Sequence, residues 1–218
     1  MYVFWLLCIT EIIASAFAVA ALQYVVKPLL IPCLIFLFIK EIHPVNENKD
    51  RLLITGLVFC WMGDVLLMFE ENDAVFFILG LAAFLCGHLF YIFYFSKLSP
   101  QPGKMQQQNL LMLLPVAVYV CVLLYLLYPS LGSLKIPVTV YAIVLAGMLS
   151  MALRQLQKIN FKTALLFVAG AASFVLSDSL LAINKFYHPF APAGLLIMLT
   201  YCLAQYLIVS GAIRYTRL

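Results

Sequence analysis

Three carboxylates stand where carboxylates are costly. Glu11, Asp64 and Asp178 each fall inside a long apolar run, whereas Glu41, Glu47, Asp50, Glu70, Glu71 and Asp73 fall at the ends of runs or between them. An ionisable side chain deep in a membrane span costs about 2.5–3.5 kcal/mol, which marks it as a candidate for function. Asp64 and Asp178 are the strongest candidates. Two such groups facing one another would not both ionise, so one keeps its proton while the other stays charged. That arrangement supplies an acid and a base at neutral pH. The bland alternative is that each aspartate hydrogen-bonds a neighbouring helix as inter-span glue. Glu11 is either a third acid or a partner for Lys27, and a structural or orienting role is preferred for it.

A second set of polar residues has the spacing to support these acids. His88 and Tyr91 are three apart, and Tyr201 and Gln205 four apart, so each pair shares a helix face. His88 can move a proton, hydrogen-bond a carboxylate, or simply be packed. Lys27 is one of few cations on its side of the chain; it can hold an anionic head group, balance a carboxylate, or snorkel from a span boundary. Asn184 stands near the end of an apolar run, where it either supports the site or caps a helix. No metal site is expected, because His43 and His188, two of the three histidines, fall in loops on opposite sides. Ser177-Asp178-Ser179 places hydroxyls beside an acid, but adjacent helical residues point apart, so it is no nucleophile and base.

The elements that must position these groups follow from composition. Of 218 residues, 66% are hydrophobic and 10% charged, against about 25% charged in a soluble domain. Such a chain has too little polar surface for water, and in hydrocarbon its backbone must pair internally as helices. The net charge of +4 comes from basic residues scattered between apolar runs and does not suggest nucleic acid. Cys8, Cys33, Cys60, Cys86, Cys121 and Cys202 all lie within apolar runs and suggest no disulfide framework.

An all-α integral membrane protein with eight spans is expected, near 2–22, 27–41, 52–69, 75–95, 109–128, 136–153, 162–184 and 193–213. The first run lacks a basic leader and a clear cleavage site, and is read as a span rather than a signal peptide. The second is expected to open at Lys27-Pro28, since proline suits a first helical turn. Lys40, Lys49, Arg51, Lys97, Lys104, Arg154, Lys158, Lys162, Arg214 and Arg217 fall on one side, and Lys27, Lys135 and Lys185 on the other. That asymmetry puts both termini in the cytoplasm, with plain loops at 43–50 and 97–108. A shift of 114 residues lays Asp64-Val65-Leu66-Leu67 on Asp178-Ser179-Leu180-Leu181, Gly80 on Gly194 and Tyr91 on Gln205. A parallel 4+4 repeat would put the two aspartates at equal depth. The small residues Gly170, Ala171, Ala172 and Ser173 would allow close helix contact below Asp178.

These residues together resemble the YhhN family of membrane proteins, which includes the lysoplasmalogenases. The resemblance rests on Lys27-Pro28, Gly63-Asp64-Val65-Leu66-Leu67, Gly87-His88 with Tyr91, Ser177-Asp178-Ser179-Leu180-Leu181-Ala182, and Tyr201 with Ala204-Gln205. It covers essentially the whole chain. It implies hydrolysis of the vinyl-ether bond of a lysoplasmalogen, with the family's catalytic aspartates falling on Asp64 and Asp178. That chemistry suits the residues. A vinyl ether hydrolyses by protonation of its β-carbon, and a second carboxylate can stabilise the oxocarbenium ion and activate water. It needs no metal or cofactor, and the partners expected are the lysophospholipid substrate and membrane lipids. A small proton-coupled transporter and a non-catalytic lipid-binding protein are the competing readings. The short loops lean toward a bacterial cytoplasmic membrane.

Overall fold

The computed structural model describes residues 2–17, 19–42, 48–100 and 110–217. These residues form eight α-helices: α1 (Tyr2–Ala16), α2 (Ala20–Ile42), α3 (Asn48–Leu67), α4 (Ala74–Lys97), α5 (Leu114–Leu127), α6 (Lys135–Lys158), α7 (Phe161–Ala182) and α8 (Ala193–Thr216). No strand occurs among the described residues. Among the described residues, five helical segments are long and apolar enough to cross a membrane: Ala21–Ile42, Ala74–Lys97, Gly132–Lys158, Phe161–Tyr187 and Ala193–Thr216. Tyr2–Ala16 and Leu114–Ser130 are shorter apolar helices. Large apolar side chains such as Phe17, Tyr125 and Ile136 point outward, three-quarters or more exposed. A soluble surface hides such residues, and a lipid-facing one does not need to. The chain is an all-helical membrane protein.

The chain divides into two compact units, Met1–Lys97 with Thr216–Leu218, and Leu98–Tyr215. In the first, α3 and α4 form a tight antiparallel hairpin. A Cβ added to Gly63 would come 2.6 Å from the Phe84 ring, and one on Gly56 2.8 Å from the Tyr91 ring. The Asp73 carboxylate starts α4 by accepting from the Val75 N–H at 2.8 Å. In the second unit, α7 starts at Asn160, whose side chain accepts from the Lys162 N–H. It then packs antiparallel to α8, with Gly170 against Ala204 and Ile208, and Gly211 against Phe167. The hydroxyls of Thr10, Thr55, Thr139 and Thr200 all return to the carbonyl four residues back. Such back-bonding satisfies a polar group inside its own helix.

Several boundaries differ from expectation. The apolar run 2–22 is not one helix, because α1 ends at Ala16 and the Val19 N–H closes onto the Ala14 carbonyl at 2.9 Å. The run is apolar on both sides of this break, so composition gives no sign of it. The next helix opens at Ala20 rather than Lys27, leaving Pro28 and Pro32 inside it. An interior proline removes the hydrogen bond to the carbonyl four residues earlier, and Pro32 therefore releases the Pro28 carbonyl. The Trp61 indole N–H of α3 donates to that carbonyl at 2.9 Å. One tertiary hydrogen bond thus replaces the lost helical one and ties α2 to α3. The expected loop at 43–50 is shorter, since Asn48, Lys49 and Asp50 form the first turn of α3. His43, Glu47 and Lys104 lie outside the described residues, as does most of the expected 97–108 loop.

Candidate functional site

In the first unit three of the expected residues come together. Asp64 is buried on α3, and Glu11 is buried on α1 at 1% exposure. The charges of Lys27 and Asp64 both act on the Glu11 carboxylate. No hydrogen-bond partner for Glu11 Oε2 occurs among the described residues. Lys27 is half-buried on α2, and its charge reaches the buried Glu11. A lysine is tolerated at this point of α2 because it offsets buried negative charge.

His88 and Tyr91 are both fully buried on α4, as their spacing suggests. Tyr91 sits in the seam with α3, its ring over Gly56 and its hydroxyl accepting the Cys60 thiol at 3.8 Å. Its observed contacts are those of a packing residue. The Gly87 in front of His88 lets that seam close, since an added Cβ would come 2.7 Å from Cys60 Sγ.

Asp178 lies half-buried on α7 of the second unit. The Tyr141 hydroxyl of α6 donates to its Oδ2 at 2.6 Å. Its chain neighbours turn elsewhere, as helical geometry requires. Ser177 donates to the Ile197 carbonyl of α8 at 3.0 Å, and Ser179 donates to the Val175 carbonyl while its oxygen accepts from the Tyr119 hydroxyl at 2.8 Å. On α8 the Gln205 amide donates to the Tyr201 hydroxyl at 3.3 Å, and the Tyr201 ring meets Phe174 edge-on. That pair lies on one face as expected, in the seam between α7 and α8. Asn184 belongs to a π-helical turn, Ile183–Tyr187, and its side-chain oxygen accepts from the Phe190 N–H at 3.1 Å. That bond ties the turn to the chain that follows it.

Sequence reasoning missed Tyr141, Tyr119 and Trp61. Each is aromatic within an apolar run and so counts as core, yet a buried Tyr or Trp has a polar tip that needs a partner. That requirement was the available signal. It also missed a cavity of about 240 Å³ in the first unit, lined by Gln23, Tyr24, Lys27, Leu67, Met68, Glu70 and Glu71.

The fold and these groups define a class: a helical membrane protein holding carboxylates inside apolar helices, a tyrosine bonded to Asp178 and a lysine whose charge reaches Glu11. The chain belongs to the YhhN family, whose model matches residues 22–212. It is similar to the lysoplasmalogenase TMEM86B of Homo sapiens, at 33% identity over 78% of this chain and 66% of that protein. It is similar to TMEM86B of Sus scrofa, at 33% identity over 82% of this chain and 72% of the relative. A lysoplasmalogenase of Mycobacterium bovis is 30% identical over 78% of this chain and 62% of its own length. The chain thus spans about two thirds of the length of the curated relatives it matches. No solved structure matches it.

Proposed function

We propose that this chain is an intramembrane hydrolase that cleaves the vinyl-ether bond of a lysoplasmalogen, releasing a fatty aldehyde and a glycerophospho-base. The observation that carries this reading is family membership, with relatives named lysoplasmalogenase in mammals and mycobacteria. The carboxylates kept inside apolar helices fit the chemistry. Asp64 and Asp178 divide the work. One carboxyl group gives its proton to the β-carbon of the vinyl ether, and an oxocarbenium ion forms. The other carboxylate stabilises that cation and takes a proton from the water that adds to it. The resulting hemiacetal collapses to the aldehyde and the free glycerol hydroxyl. Overall one water is consumed and no electrons are exchanged, so no metal or cofactor is required. Tyr141 orients Asp178, while Glu11, Lys27, His88, Tyr91, Tyr201, Gln205 and Asn184 support the two acids or their helices.

In this reading all eight helices cross the membrane and the two hairpins are copies of one unit. The packing register supports it. At a shift of 114, the seam contact of Gly63 with Phe84 falls within one residue of the hydrogen bond between Ser177 and Ile197. At the same shift Gly56 falls on Gly170, and each glycine lies in its hairpin seam. Both termini face the cytoplasm of a bacterial inner membrane. The ion pair of Arg217 with Glu41 supports this, since it joins two residues assigned to that side.

The test is direct. Pure protein in lipid is incubated with a lysoplasmalogen and free aldehyde is measured, before and after treatment with a strong chelator. Aldehyde release that survives chelation is expected. Folded protein that releases none, but carries protons across a liposome membrane, would move the reading to a transporter.

A further inference from the structure

The cavity in the first unit has a composition that the two-carboxylate chemistry does not use. Its walls come from the start of α2 and from the end of α3 with the turn after it, and the Tyr24 hydroxyl joins the two by donating to the Met68 carbonyl at 3.2 Å. Lys27 supplies one positive charge, and Glu70 and Glu71 two negative ones. A purely anionic ligand would meet a net repulsion there, and a purely cationic one would meet Lys27. A ligand with an anion and a cation a few bonds apart satisfies both halves. Leu67 and Met68 line the cavity from positions three and four residues beyond Asp64, so the cavity lies about one helical turn, ~5.4 Å, outward of that carboxylate. Five single bonds separate the vinyl-ether oxygen of a lysoplasmalogen from its phosphorus, roughly 6 Å when extended. Buried Glu11 feels the charge of the same Lys27 that lines the cavity. The lysine therefore serves both that acid and the cavity wall.

We propose that this cavity binds the zwitterionic glycerophospho-amine head group of the substrate. Lys27 takes the phosphate, Glu70 and Glu71 take the ammonium, and Gln23 and Tyr24 offer hydrogen bonds at the rim. Occupying it sets the vinyl ether at the depth of Asp64. This assignment rests on the hydrolase reading for the identity of the ligand, but its geometry lies within the first unit alone.

The experiment measures binding apart from turnover. Three saturated, non-hydrolysable ether lipids of equal chain length are titrated into the intact protein: an alkyl-glycerophosphoethanolamine, an alkyl-glycerophosphate and an alkylglycerol. The ethanolamine lipid should bind tightest. Lys27→Gln should weaken both phosphate-bearing lipids about tenfold or more and leave the alkylglycerol unchanged, while Lys27→Arg retains binding. The paired change Glu70→Gln and Glu71→Gln should weaken the ethanolamine lipid alone. Equal affinity for all three lipids in the unaltered protein would overturn the assignment. So would a Lys27→Gln variant that loses the alkylglycerol in parallel, because the lysine would then serve only as the counter-ion of Glu11. The hydrolase reading fails separately: head-group selectivity with no aldehyde from the vinyl-ether counterpart leaves the cavity assigned and removes the reaction. Aldehyde release with no selectivity does the reverse.

Discussion

Tyr141 donates its phenolic hydrogen to Oδ2 of Asp178 at 2.6 Å, linking α6 to α7 at the only acid of the second unit. A hydrogen bond to a charged group contributes about 1.5–3 kcal/mol, more than a neutral one. The bond fixes one carboxylate oxygen and with it the orientation of the side chain. Tyr141→Phe keeps the ring and removes the donor. Turnover should fall about tenfold or more with KM little changed, and the melting temperature should move by only a few degrees. A variant with full kcat would show that Asp178 does not need this partner. A variant that unfolds would show that the bond serves stability instead.

The helix seams give a prediction about stability. A Cβ added at Gly170 would stand 3.0 Å from both Ala204 O and Ile208 N, which are backbone atoms and cannot swing aside. Gly170→Ala should therefore destabilise the protein by about 1–3 kcal/mol, the usual cost of overpacking. Gly132 is the opposite case. Its φ of +51° is in the left-handed region, yet no atom lies within 4 Å of its added Cβ. Gly132→Ala should cost only about 1–2 kcal/mol of local backbone strain and leave activity intact. Thermal unfolding in detergent, with activity measured alongside, compares the two directly.

What could be read from the sequence depended on whether the information was local. The α3–α4 and α7–α8 segments were legible because long apolar runs bounded by charge specify helices, and because an aspartate inside such a run stands out. The break between Ala16 and Ala20 was not legible, since apolar residues continue through it. Pro28 was misplaced for a related reason. Proline at a helix start is locally favourable, whereas proline inside α2 is tolerated through a partner on another helix, Trp61. Tyr141 has an apolar ring within an apolar run, and only the fold shows where its hydroxyl points. Glu70 and Glu71 read as ordinary surface charges until the turn that carries them closes over Lys27 and Tyr24. The aspartates themselves were legible one at a time, while their partners depend on tertiary packing.

Topology yields a prediction that does not depend on the chemistry. With eight spans, as proposed, the lysines and arginines divide ten to three between the two sides, and the bias in such short loops sets orientation. A reporter active only outside the cytoplasm, fused after Leu218 in a bacterial host, should stay silent. The same reporter placed in the turn at Glu71 and Asn72 should be bright. A bright C-terminal fusion would invert the orientation and would put the cavity at Lys27 on the cytoplasmic face.

The aspartate pair is the sharpest test of the mechanism. Asp64→Asn and Asp178→Asn preserve size and most hydrogen bonding but remove the group that exchanges a proton. General acid–base assistance is worth about 10² to 10⁴ in rate, so each single change should lower turnover at least about a hundredfold. Both variants should still insert and purify, since asparagine costs less to bury than a charge. Groups that act as one unit are not additive. The double variant should therefore be little worse than the poorer single one. Two independent roles would instead multiply, giving a double variant whose loss is the product of the two. The pH profile of the unaltered protein should be bell-shaped, because the proposed mechanism needs one carboxyl protonated and the other ionised, and neither extreme of pH provides both. A flat profile over the range in which carboxylates and histidines titrate, or an asparagine variant that hydrolyses a vinyl ether at near-normal rate, would remove the two-carboxylate mechanism. Asp64 and Asp178 would then be better understood as polar anchors that hold α3 and α7 in place.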